Sequence, residues 1–176
     1  MKASTKILSA VVAVALIPVA AAAAVIGGTH YAAQYAYGEF FSVADHHAFK
    51  VVLVGRPFAG GDLGTAAREL LTVMQAAKPR PDLTFAYDVD VPKDRSDYRL
   101  ILVFNPALDL SSKDVCNGTT RVRPGKVGQM RLYAVYCRDN MVMSETMAWT
   151  PAADAGDPQV AEMFRELFTA VWPDGR

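Results

Sequence analysis

The sequence predicts an α+β domain built as a two-layer sandwich, a mainly antiparallel sheet with helices packed against it. Three observations carry that prediction. Apolar runs of strand length recur along the chain, and two stretches with three-and-four spacing read as amphipathic helices. A two-residue Asp139-Asn140 break between apolar runs reads as a hairpin. About five strands and two helices, in the order β-α-β-β-β-β-α, account for the pattern, preceded by an N-terminal hydrophobic helix. The chain has 176 residues, 52% of them apolar and 20% charged, which fits one domain and excludes a disordered protein.

The N-terminal segment comes first. Residues 7–28 carry no charged side chain and follow Lys2 and Lys6. Such a run is either a secretory signal peptide or a single-span anchor. Pro18 ends its most apolar part, and the alanines of 20–24 supply small residues for cleavage. No Lys or Arg follows until Lys50, so both readings place the rest of the chain outside the cytoplasm. The lysine-led, alanine-rich form is that of bacterial export leaders. Residues 1–28 are thus a signal or anchor, and 29–48, with five Tyr and Phe side chains, an aromatic-rich linker. Residues 49–176 form the extracytoplasmic domain.

Within that domain, 49–54 is a short apolar run ending at Gly55, as a buried strand does. The Gly-rich stretch 55–64 follows it and precedes a helix over 65–77. Leu63, Ala66, Ala67, Leu70, Leu71 and Met74 give that helix one apolar face, and Pro79 and Pro81 end it. Residues 83–91 alternate in part, as a half-buried strand would. Residues 98–104 read as a fully buried strand stopped by Asn105-Pro106. A long irregular connection over 107–129 holds Cys116. The hairpin 130–138 and 141–149 comes next. Asp157-Pro158 then opens a helix carrying Val160, Phe164, Leu167 and Val171, with Met163 and Phe168 beside them, until Pro173.

The two cysteines, Cys116 and Cys137, are expected to pair in an oxidising compartment. No Cys-x-x-Cys and no His at ligand spacing supports a redox or metal role. The formal charge is +0, which gives no basic excess for nucleic acid. Without Lys2 and Lys6, the chain after residue 24 has 16 basic against 18 acidic side chains. The basic stretch Arg121, Arg123, Lys126 and Arg131 is the candidate contact for an anionic surface, such as headgroups or a polymer, or for an envelope protein.

Other motifs carry less chemistry. The stretch 55–64 has the strand–loop–helix setting of a phosphate loop but lacks the Gly-Lys-Ser/Thr ending and the Gly-x-Gly-x-x-Gly spacing, so it reads as a turn. Asn117-Gly118 also reads as a turn. No Gly-x-Ser-x-Gly is present. The sequence offers no metal ligand set and no cofactor motif. The expected function is therefore a non-catalytic binding or assembly module, exported or membrane-anchored, with the membrane itself a partner if the leader stays uncleaved. Two alternatives stand beside it. One is an envelope enzyme whose site gathers Glu145, an aspartate of the cluster Asp88, Asp90, Asp94 and Asp97, and His46 or His47. The other is a tethered small-ligand sensor.

Overall fold

The computed structural model describes residues 23–93 and 96–174. Six strands form one mixed sheet: β1 (Val25–Tyr31), β2 (Ala48–Val54), β3 (Thr84–Ala86), β4 (Tyr98–Phe104), β5 (Gln129–Arg138) and β6 (Met141–Pro151), in the order β1-β6-β5-β4-β2-β3. Four helices accompany them among the described residues: α1 (Tyr37–Ala44), α2 (Leu63–Ala76), α3 (Ser112–Cys116) and α4 (Pro158–Val171). The α+β class is as predicted. The count of strands and helices is higher, and the sheet is more mixed, than the sequence suggested.

The four strands from β1 to β4 in sheet order pair antiparallel, whereas β4, β2 and β3 run parallel. The hairpin lies where it was expected: Asp139 turns it at φ +54, a conformation that Asp tolerates. Residues 83–91 give only the short β3. Tyr87 leaves the sheet to donate its hydroxyl to the carbonyl of Ala67 at 2.6 Å, and Asp88 and Asp90 face solvent.

The first strand was not anticipated. Residues 25–28 belong by sequence to the charge-free run, yet β1 pairs Val25 with Trp149 and, past a bulge, His30 with Glu145. The aromatic stretch 29–48 carries the rest of β1 and all of α1. Residues 1–22, where the hydrophobic helix was expected, lie outside the described residues. Among the described residues no helix is long and apolar enough to cross a membrane.

Both faces of the central strands are apolar, which is why their sequences read as continuous runs. On the inner face, Leu100, Leu102, Leu132, Ala134 and Tyr136 share one core with Phe40 of α1, Leu70 and Met74 of α2, and Phe164 and Phe168 of α4. Trp172, just past α4, stacks on Phe40 at 4.5 Å between ring centres and meets Tyr136 edge-on at 5.7 Å. Each buried Leu, Met or Phe among them contributes about 1.5–3 kcal/mol. The α4 start is capped as the sequence indicated, by Asp157 on the Gln159 amide, and α2 is capped by Asp62 on the Thr65 amide, inside the stretch that reads from sequence as a turn.

A second, smaller core on the outer face adds a layer to the two expected. Ile101, Val103, Val135 and Cys137 are covered by Leu110, Val115 and Cys116 from the 105–128 connection. Cys116 and Cys137 form the predicted disulfide, with Cα atoms 5.7 Å apart, and so fasten α3 to β5. α3 starts with Ser111 accepting from the Asp114 amide.

Candidate functional site: a crevice at the carboxyl ends of β2 and β4

The chain leaves β2 toward α2 on the inner face and leaves the adjacent parallel β4 toward α3 on the outer face. Two neighbouring parallel strands whose continuations part in this way open a crevice beyond their carboxyl ends, the usual place for a ligand in sheets of this kind. The 55–64 stretch walls one side and the 121–125 segment the other. The crevice measures about 500 Å³.

Asn105 holds its floor. Its backbone adopts φ +52, its amide donates to the carbonyl of Arg131 at 2.8 Å, and its carbonyl accepts from the Arg123 amide at 2.7 Å. The Asn105 side-chain Nδ2 donates to the carbonyl of Arg56 at 3.0 Å. One buried asparagine, 9% exposed, thus ties β5, the 121–125 segment and the end of β2 together. Two glycines make the approach possible. A Cβ on Gly55, at φ +82, would lie 2.7 Å from the Phe104 carbonyl oxygen, and one on Gly125 would lie 2.7 Å from Asn105 Nδ2.

The lining combines apolar surface from Phe58, Leu63, Val122 and Pro124 with the cationic Arg56 and Arg123. Leu63 belongs to the predicted apolar face of α2 yet remains 44% exposed, because it borders this opening. None of the lining residues is acidic, and none is Ser, Cys or His. Arg123 is anchored through Nε, which donates to the Pro106 carbonyl at 3.0 Å. Among the described residues neither Arg56 nor Arg123 has an ion-pair partner. The amino end of α2 adds little positive field here, because Asp62 occupies it. The Thr65 backbone amide holds the Asp62 carboxyl below its ordinary range.

Of the four predicted basic residues, only Arg123 lines the crevice. Arg121 pairs with Asp109 at 2.7 Å, Lys126 is exposed nearby, and Arg131 sits half-buried on β5 opposite Trp149. Arg56 was missed. Its signal was a cation placed directly after a buried strand, inside a stretch read only for its glycines.

Of the residues named for a dispersed enzyme site, His47 and Asp90 border one cleft, and Glu145 is not in its lining. Glu145, on β6, accepts a hydrogen bond from the Tyr133 hydroxyl of β5. His46 stands in the turn after α1, 3.8 Å from both Asp45 and Asp82. Asp97 binds Arg99 at 2.7 Å and Lys50 at 3.7 Å. The cleft that His47 and Asp90 border, with Tyr98, measures about 580 Å³ and is separate from the crevice. Asp94 lies outside the described residues. Beside that cleft, Glu39 of α1 accepts from Tyr98 at 2.6 Å and from Arg138 at 2.5 Å, which fastens α1 to β4 and β5.

The sequence matches no protein-family model and no curated protein. Among solved structures, a dodecamer of a PelC point variant from Paraburkholderia phytofirmans is similar at 6% identity, over 87% of this chain and 99% of that one, with a TM-score of 0.38. A likeness of that depth says nothing about function or assembly here.

Proposed function

We propose that the chain is a non-catalytic binding module of the bacterial envelope, working outside the cytoplasm, whose crevice takes an anionic group borne on an apolar body. The observation that carries this reading is the meeting of Arg56 and Arg123, unpaired among the described residues, over an apolar lining that has no carboxylate. Two cations without an acid favour an anion. The apolar walls favour a ligand that buries more than its charge. The absence of Ser, Cys, His, Asp and Glu from that lining supports binding over catalysis.

The compartment rests on the leader and on the Cys116–Cys137 bond, which belongs to oxidising spaces. Because β1 takes up Val25 to Gly28, residues 7–24 remain for the signal or anchor.

The test is an amide NMR titration of the full chain in detergent micelles with inorganic phosphate and with hexyl phosphate. Hexyl phosphate should bind at least about tenfold more tightly, since a few buried methylenes contribute that much. Shifts should concentrate at residues 55–63 and 122–125 and vanish in Arg56→Ala/Arg123→Ala. Equal affinity for the two anions, or shifts centred elsewhere, would contradict the reading.

A further inference from the structure

One end of the sheet gathers features that lie far apart in sequence. Strand register aligns Val25 of β1, Trp149 of β6 and Arg131 of β5 in a single row. The Arg131 carbonyl accepts from the Asn105 amide, and Asn105 in turn holds the Arg56 carbonyl, so the row continues to the crevice. It crosses four strand spacings, about 19 Å. The chain therefore enters the domain at the same end as Arg56, Arg123 and Lys126, and residues 7–24 immediately upstream have no charge.

That end also shows apolar side chains to solvent. Val127 is 88% exposed beside Lys126, and Leu108, on the paired 106–109 segment, is 81% exposed. Acids are present there too. Asp109 pairs with Arg121, Asp62 and Asp157 offset the positive amino ends of α2 and α4, and Asp154, which accepts from the Gly156 amide, keeps its charge. At the opposite end, the cations near the Asp139-Asn140 turn are paired: Arg99 and Lys50 with Asp97, and Arg138 with Glu39.

We infer that this end of the domain lies against an anionic phospholipid surface, with Arg123 and Lys126 among the headgroups and Val127 reaching past them. The inference rests on the proposed export and on Arg123 and Lys126, cations without an ion-pair partner among the described residues. The partner is the bilayer from which the chain emerges. A surface rich in anionic lipid attracts each nearby Lys or Arg, and an exposed apolar side chain among them adds burial at the interface.

The test uses the full chain reconstituted with its C-terminal domain outside vesicles, of phosphatidylcholine alone or of phosphatidylcholine with phosphatidylglycerol. A spin label is attached at Val127→Cys or, at the other end, at Asn140→Cys. With phosphatidylglycerol, the Val127→Cys label should lose access to a water-soluble relaxant by about fivefold or more, the effect of one cation at such a surface. High salt, or an added Lys126→Glu, should restore access, while the Asn140→Cys label stays exposed throughout. Lys126 is exposed and makes no ion pair among the described residues, so the variant should keep its fold, checked by an unchanged melting curve. Equal access in the two lipids, protection that survives Lys126→Glu, or protection of the Asn140→Cys label instead would overturn the inference. Hexyl phosphate binding in micelles is independent of the outcome, so the crevice reading can stand when this one falls.

Discussion

Reduction of the Cys116–Cys137 bond is the perturbation whose size the structure states most directly. The bridge closes a loop with a sequence separation of 21. Opening a loop of that length returns about 11 cal/mol/K of chain entropy to the unfolded state, or about 3 kcal/mol at 25 °C. For a domain of roughly 150 residues this lowers the melting temperature by about 6–12 °C. Urea unfolding followed by far-UV circular dichroism, with and without a thiol reductant, measures the difference. Hydrogen exchange adds its location. The bond fastens α3 and the outer core to β5, so amides of residues 105–128 should lose protection first. Those of the inner core around Phe40 and Trp172 should lose it only with global unfolding. A loss below about 1 kcal/mol, or exchange that accelerates uniformly, would refute the idea that the bond secures this connection.

Other outcomes follow from the packing and the charges. Gly55→Ala places a methyl against the Phe104 carbonyl in a left-handed backbone and should cost about 2–4 kcal/mol in urea melts, whereas Gly61→Ala, with open space around it, should be close to neutral. The Tyr98 hydroxyl first, and then Arg138, hold the Glu39 carboxyl below its ordinary range. A carboxylate whose folded-state pKa is depressed adds stability that is full above its unfolded pKa and is lost as the pH falls through the folded-state pKa. Acid unfolding should therefore set in below roughly pH 4 and move to higher pH in Tyr98→Phe, as read by fluorescence against pH.

Much of the fold was legible because its signals are local. The hairpin announced itself through Asp139-Asn140 between apolar runs, and α4 through Asp157-Pro158 and a face whose six apolar residues are all buried. The disulfide followed from compartment and number. What escaped depends on distant partners. β1 is an edge strand with a bulge and two glycines, and its sequence continues the apolar run before it. α1 has only eight residues, and no side chain caps its start at Ala36. α3 has five, although Ser111 followed by Asp114 was a readable start signal. The crevice was half legible. Arg123 stood in the basic stretch and the glycines in the 55–64 stretch. No local pattern says that β2 and β4 run parallel side by side, and only that pairing brings Arg56 to Arg123.

The central claim is that an anion with an apolar body lodges between those two arginines. Intermolecular NOEs from the methylenes of bound hexyl phosphate test it most directly. The account predicts contacts to Val122, Phe58 and Leu63, absent when Arg56→Ala and Arg123→Ala are combined. Contacts instead to the cleft around His47 and Tyr98, or contacts that persist in the double variant, would contradict it.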